Sequence, residues 1–208
     1  MNNRFRIVFT ALLASVCLYA ALLPNILSAQ TAPFTTATFR TISEARKQPF
    51  GTVLYVAGRV TVANEFGGPS YIQDGTGGIA VFESTFSRGV SLGDSVEVTG
   101  PVVDFQATTG VLGTGLAELS GTSTSRVTWR IIPTARIIPV AREVSLRDLT
   151  GATGEALEGQ LIRASGVRFS DTSLFKSATN YTVTDFSTSA QVRISAGINL
   201  INQPIPRT

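Results

Sequence analysis

The sequence predicts an all-β protein: a small closed barrel of five strands, followed by a second, incomplete copy of the same pattern. Three observations carry this. Short runs dense in Val, Ile, Thr, Tyr and Phe recur with alternating polarity, and none keeps a helical period. Turns built on Gly and Asp punctuate these runs. The pattern of the first half then returns at an offset of about 110 residues.

The chain opens with a signature of export. Arg4 and Arg6 precede an uncharged apolar run of 17 residues, Ile7 to Leu23, and Leu27-Ser28-Ala29 follows Pro24 and Asn25. A charged start, an apolar middle and a small residue at the cut mark residues 1–29 as a secretory signal peptide, cleaved after Ala29. The rival is an uncleaved anchor, but 17 residues is the low edge of what spans a bilayer, and the Leu-Ser-Ala site favours cleavage. A lipoprotein is disfavoured because Val16, just before Cys17, is bulky. The mature protein is therefore expected to be secreted, periplasmic or at the cell surface, with no membrane segment. Cleavage removes Arg4, Arg6 and Cys17, so the formal charge falls from +3 to +1 and no cysteine remains. Stability must come from a core rather than from disulfides.

Residues 30–40, rich in Thr and Ala, read as a flexible tail. Thr41 or Ser43 caps one helical turn through Arg46, which Pro49 ends. The first domain runs over residues 41–124. Thr52 to Val62 is a long strand dense in β-branched residues and bent at Gly58. Tyr71-Ile72-Gln73 and Ile79 to Phe82 pair as a hairpin across Asp74-Gly75-Thr76-Gly77-Gly78, where Asp bonds its own backbone and glycines supply positive φ. Ser84 to Ser91 is irregular or briefly helical. Gly93-Asp94 turns into a fourth strand, Ser95 to Val103, and after the loop Gln106 to Gly115 a fifth covers Leu116 to Leu119. A long bent strand, a hairpin and two more strands give the order of a five-stranded Greek-key barrel, the OB-fold.

Residues 125–142 read as a linker, apolar with Arg126, Arg130, Arg136, Pro133 and Pro139, in extended or edge-strand form rather than helix. Residues 143–208 repeat the opening as a second OB-like domain. Val144 to Leu149 mirrors the capped turn, Leu157 to Phe169 with Gly166 mirrors the bent strand, and Tyr181 to Asp185 with Ala190 to Ile194 mirrors the hairpin. This second copy is expected to be truncated, because an open half-barrel exposes strand edges and apolar faces.

Composition narrows the chemistry. The absence of histidine removes the usual general base, the usual metal ligand and the Ser-His-Asp triad. Without a mature cysteine, thiol nucleophiles, thiolate zinc sites and iron–sulfur clusters go too. Carboxylates remain, but Glu65, Asp74, Glu83, Asp94, Glu97, Asp104 and Glu118 stand singly, with no paired motif of the glycosidase kind. The glycine run after Asp74 lacks the ending of a phosphate loop, and one carboxylate is too few for calcium. The chain is expected to be no enzyme and to hold no metal and no cofactor.

Four strings carry a resemblance: Pro49-Phe50-Gly51-Thr52-Val53, Val56-Ala57-Gly58-Arg59-Val60-Thr61, Tyr71 through Phe82 (with its Tyr-Ile-Gln-Asp-Gly-Thr-Gly-Gly core) and Leu92-Gly93-Asp94-Ser95-Val96-Glu97-Val98-Thr99-Gly100. They resemble secreted bacterial OB-fold modules of the nucleic-acid-binding type, found attached to extracellular endonucleases and surface proteins. The likeness covers residues 42–120 well and 144–195 weakly. In the second copy Phe186-Ser187-Thr188-Ser189 replaces the glycine run. The resemblance implies an accessory module of a larger extracellular protein, with a C-terminal catalytic or surface domain as neighbour and single-stranded DNA or RNA as ligand.

Single-stranded nucleic acid needs aromatic platforms on the hairpin face and cations along a groove. If Ile72, Ile79 and Val81 face the core, then Tyr71, Gln73, Ala80 and Phe82 face outward. Arg59 beside that face and Arg88 beyond it are placed to meet phosphate, and Phe66 and Phe86 flank it in loops. The candidate ligand set is Arg59, Phe66, Tyr71, Gln73, Phe82 and Arg88, although the rings serve equally to cover a barrel end. Charge opposes tight binding: between Arg40 and Thr124 eight acids face five cations, and phosphate affinity rests on cations. Arg126 to Arg147 carries five arginines against Glu143 and is either a second electrostatic footprint or a solvated linker. Three classes of function follow. The preferred one is a binding module for single-stranded nucleic acid. The alternatives are a spacer, protein-interaction or saccharide-binding domain of a surface protein, and a carboxylate hydrolase.

Overall fold

The computed structural model describes residues 37–105 and 115–206. The expected signal peptide, most of the expected tail and most of the Gln106 to Gly115 loop lie outside those residues.

Strand β1 (Thr38–Phe39) runs parallel to the start of β2 (Val53–Val62), pairing Thr38 with Leu54 and Phe39 with Tyr55. The end of the expected tail is therefore a strand: its β-branched and aromatic residues suit a sheet edge, and Phe39 packs on Tyr55 with ring centroids 5.1 Å apart. Helix α1 (Ile42–Ala45) follows. The backbone N–H and hydroxyl of Thr41 both donate to the Glu44 carboxylate, at 3.0 and 2.9 Å, fixing the helix start as a capping box. Its apolar side, Ile42 and Ala45, is fully buried.

The barrel closes around β2. One edge of β2 pairs antiparallel with β5 (Ser95–Phe105), from Val53 opposite Pro101 to Arg59 opposite Ser95. The far end of its other edge pairs with β3 (Ser70–Gln73). β3 and β4 (Gly78–Phe82) form the hairpin, β4 runs parallel to β6 (Leu116–Ser120), and β6 returns antiparallel to β5. The circuit β2-β3-β4-β6-β5-β2 is a five-stranded barrel of the OB-fold type. The bend in β2 is a register shift between Val60 and Val62 rather than at Gly58. Gly58 serves close approach instead, since a Cβ there would lie 2.9 Å from the carbonyl oxygen of Gln73. Val56, Ile72, Val81, Val98 and Leu119 fill the interior at zero exposure. Helix α2 (Ser84–Gly89), between β4 and β5, sends Phe86 into the same core, where its ring meets the edge of Trp129 at 5.5 Å.

The segment expected as linker is held to the barrel. β7 (Thr128–Ile132) pairs with β5 from Thr128 opposite Thr99 to Ile132 opposite Ser95, so β6 and β7 follow one another along one edge of β5. Cross-strand charges fix it: Arg130 Nε donates to Glu97 at 2.7 Å, and beyond the strand Arg136 Nε donates to the buried Asp94 at 2.5 Å.

The second half repeats the plan locally. β8 (Arg142–Val144) lies parallel to β9 (Ile162–Ala164), as β1 lies on β2. A 3-10 turn, Leu146–Leu149, follows β8, and the N–H and hydroxyl of Ser145 both donate to Asp148 at 2.8 Å, as Thr41 does to Glu44. Helix α3 (Gly151–Leu157) is an element the sequence reading lacked. The bent strand expected over Leu157 to Phe169 is also broken. Gly159 (φ +72°) ends the helix, and Gly166 (φ +68°) separates β9 from β10 (Arg168–Phe169). β11 (Thr179–Thr184) pairs with β10 and with β12 (Ser189–Ile194). The hairpin turn matches the first one bond for bond. The Asp74 Oδ1 accepts from the N–H and hydroxyl of Thr76 and the N–H of Gly77, and the Asp185 Oδ1 accepts from the same groups of Ser187 and Thr188. The Asp-centred bonds survive the lost glycines, but the backbone differs: Phe186 takes φ +77°, whereas Gly75, Gly77 and Gly78 stay outside the left-handed region, so the first turn does not use its glycines for the positive φ expected of them. Phe175, Tyr181, Ile194 and Ile205 form a separate small core. Among the described residues no helix is long and apolar enough to cross a membrane.

Candidate binding face and inter-repeat groove

Alternation along the hairpin aims Tyr71, Gln73, Ala80 and Phe82 away from the barrel core. Only Phe82 is open, at 53% exposure, whereas the outward Ala80 is fully buried. The second repeat lies on this face. Gln73 Oε1 accepts the N–H of Leu161 at 2.8 Å. The backbones of Gly78 and Gly159 touch so closely that a Cβ on Gly78 would stand 2.1 Å from the Gly159 carbonyl oxygen. The Arg46 guanidinium donates to the carbonyls of Glu158 and Glu155, at 2.7 and 2.9 Å, and to both carboxylates. A barrel cation thus caps the C-terminal carbonyls of α3, where positive charge is favoured. Glu158 also accepts the N–H of Ala117 in β6, at 3.2 Å.

Acids are buried or half-buried at this seam, and they respond. Burial raises the pKa of Glu118, which is 2% exposed, against a hydrogen bond from Ser120. Burial also raises that of Glu158, with Arg46 opposing. Tyr71 is raised by burial and by the charges of Glu158 and Glu118. A carboxylate raised in the folded state carries a stability cost that is full above its folded pKa and fades as pH falls toward 4.5, its ordinary value. The caps move oppositely: hydrogen bonds lower the pKa of Glu44, Asp148 and Asp185, so their stabilising effect is lost on further acidification. The melting temperature is therefore expected to rise as the pH is lowered from neutral toward 4.5 and to fall on acidification below the ordinary values of the capping acids, 4.5 for Glu44 and 3.8 for Asp148 and Asp185. Glu118→Gln should flatten the rise; a wild-type melting temperature that falls throughout contradicts this account.

The structure separates the six candidate ligand residues. Phe66 and Tyr71 wall an apolar groove. Gln73 is engaged with Leu161. Phe82 and Arg88 line a different, more polar depression of about 560 Å³ with Ser87 and Ser120. Arg59 donates to the carbonyls of Gly93 and Ala135, at 3.2 and 2.7 Å, holding the segment after β7. Phe86, read as a loop ring, belongs to the core. The groove itself, about 610 Å³, was not anticipated. Thr61, Val62, Phe66 and Tyr71 of the barrel form one wall, and Leu146, Ile162, Phe169 and Val192 belong to the other. Its sequence signal is the run of alternating apolar residues in the second copy without the strands that cover them in the first.

No family model matches the chain, and no curated protein matches it. Among solved structures it is similar to the hypothetical protein ygiW from E. coli, at 19% identity and TM-score 0.33, over 46% of this chain and 91% of that one. It is also similar to a putative aspartyl-tRNA synthetase from Leishmania major Friedlin, at 14% identity and TM-score 0.34, over 58% of this chain and 25% of that one. Neither likeness bears on function.

Proposed function

We propose that the chain is an exported, non-catalytic interaction module whose ligand is polypeptide, bound in the groove between the barrel and the second repeat. The groove carries this reading: it is concave, built mainly from aliphatic and aromatic side chains of both halves, and large enough for several residues of a ligand. The preferred sequence-based expectation, single-stranded nucleic acid, has less support. The hairpin face that would stack bases is split, with Gln73 and Ala80 covered, Tyr71 in the groove and Phe82 open in a different depression, and Arg130 and Arg136 are engaged with Glu97 and Asp94.

The test uses an environment-sensitive dye, anilinonaphthalene sulfonate, with the full chain. The dye is expected to brighten on the folded protein and to be displaced by an extended apolar peptide. A labelled single-stranded oligonucleotide at low salt is expected neither to bind saturably nor to displace it. Saturable oligonucleotide binding that weakens with salt, and again in Tyr71→Ala, overturns the reading in favour of nucleic acid.

A further inference from the structure

The two repeats can be matched residue by residue through their turns. Thr38 pairs with Leu54 three residues before the Thr41 cap, and Arg142 pairs with Ile162 three residues before the Ser145 cap. Leu54 and Val56 therefore correspond to Ile162 and Ala164. Counting from Asp74 and Asp185, Ile72 and Val81 correspond to Val183 and Val192. In the barrel all four positions are 0 or 1% exposed. In the second repeat Val183 stays buried at 3% exposure, but Val192 is 36% exposed and Ile162 and Ala164 are half-buried, and all four line the groove. The groove is the interior of a barrel left open on one side.

What closes that side in the first barrel is β5, along the edge of β2, and β6, along β4. Among the described residues no strand pairs with the edge of β9 that faces away from β8, nor with the outer edge of β12. Apolar side chains and an unpaired backbone edge thus lie side by side. A lipid or a small apolar compound satisfies only the first, whereas an extended polypeptide satisfies both.

We propose that the groove receives an added β-strand from a separate polypeptide, running antiparallel to β9 and β10 as β5 runs along β2. The inference rests on the polypeptide reading above and specifies it. Alternate apolar residues of the strand enter the groove, in the places of Val96 and Val98. Residues between them point outward beside Arg163 and Arg168 on the outer side of this edge. Arg163 faces the exposed Glu143 at 3.6 Å and Arg168 stacks on the Phe186 ring at 4.3 Å; both pairs are at the surface, where such contacts hold weakly, so a strand with acids at those positions competes for the two cations. A second copy of this chain is an unsuitable donor, because its own β5 is paired on both edges, by β2 on one and by β6 and β7 on the other.

The probe is a labelled peptide with the sequence of residues 95–105, titrated into the full chain carrying Cys17→Ser. Binding is expected to be saturable and one-to-one, and about tenfold weaker when the peptide's two groove-facing valines are serines or when the protein carries Val192→Glu. Val140→Glu, at a position 91% exposed and outside the groove, should leave it unchanged. Register is read by disulfide trapping at Arg163→Cys. By correspondence with Tyr55, which pairs with Thr99, a peptide cysteine in the place of Thr99 should cross-link about tenfold faster than one in the place of Val98. Binding that depends on Val192 but cross-links without preference overturns the added strand while leaving a polypeptide groove. Absence of peptide binding to a groove that still takes the dye overturns the polypeptide reading itself. A concentration-dependent dimer that excludes the peptide overturns the separate-chain donor.

Discussion

Gly78→Ala should detach the second repeat from the barrel. A methyl group at this position would stand 2.1 Å from the carbonyl oxygen of Gly159, 2.2 Å from its carbon and 2.6 Å from the nitrogen of Gln160. All three are backbone atoms, so no flexible side chain can yield. Gly159 is itself held at φ +72°, a conformation few other residues tolerate. The chain must back away, and the Leu161 to Gln73 hydrogen bond and the Arg46 clamp on α3 lie within a few residues of the clash. Overpacking of this kind costs about 3 kcal/mol. The readout is amide exchange and limited proteolysis across residues 151–162, with far smaller change in β2 and β5. Wild-type protection there, with a single unchanged melting transition, would refute the close contact.

Asp74→Ala should be the most damaging single carboxylate loss in the barrel. One oxygen accepts from Thr76 N–H at 2.7 Å, Thr76 hydroxyl at 2.6 Å and Gly77 N–H at 2.9 Å; the other accepts the Ile42 N–H at 2.9 Å. The residue thus shapes the hairpin turn and ties it to the start of α1. Hydrogen bonds to a charged acceptor contribute about 1.5–3 kcal/mol each and are not additive here, so a loss of about 4 kcal/mol is expected. Asp185→Ala removes the same turn bonds but no tie to a helix, and should cost about 1–2 kcal/mol. Denaturant unfolding of both variants tests the order. Equal losses would mean that the Ile42 bond contributes nothing.

The barrel was largely legible because its signals are local. Thr41 and Glu44 stand at capping-box spacing, the Asp-Gly turn is flanked by alternating residues, and the strand order leaves few topologies. β1 escaped because two residues carry no period, and α3 because its Gly-Ala-Thr-Gly start lacks a helical pattern. The candidate site was legible only as far as side-chain direction. Alternation correctly turned Tyr71, Gln73 and Ala80 outward from the core, but it says nothing of what lies above a face. The cover comes from Leu161 and Glu158, almost ninety residues away, through tertiary contacts no local pattern encodes. Likewise Arg59, Arg130 and Arg136 read as solvated cations until the structure engaged them with Ala135, Glu97 and Asp94.

The small core of the second repeat sets the order in which the chain acquires its structure. Phe175, Tyr181, Ile194 and Ile205 bury too little apolar surface to hold about 65 residues on their own. The helix that opens this half has its terminal carbonyls satisfied by Arg46, a residue of the barrel. The barrel, synthesised first, is expected to fold first and to template the second half; pulsed amide exchange during refolding should protect β2 and β5 before β11 and β12. Until the second half condenses on it, the outer face of β3 and β4 is bare, and that interval is when the nascent protein is most open to misassociation with other chains.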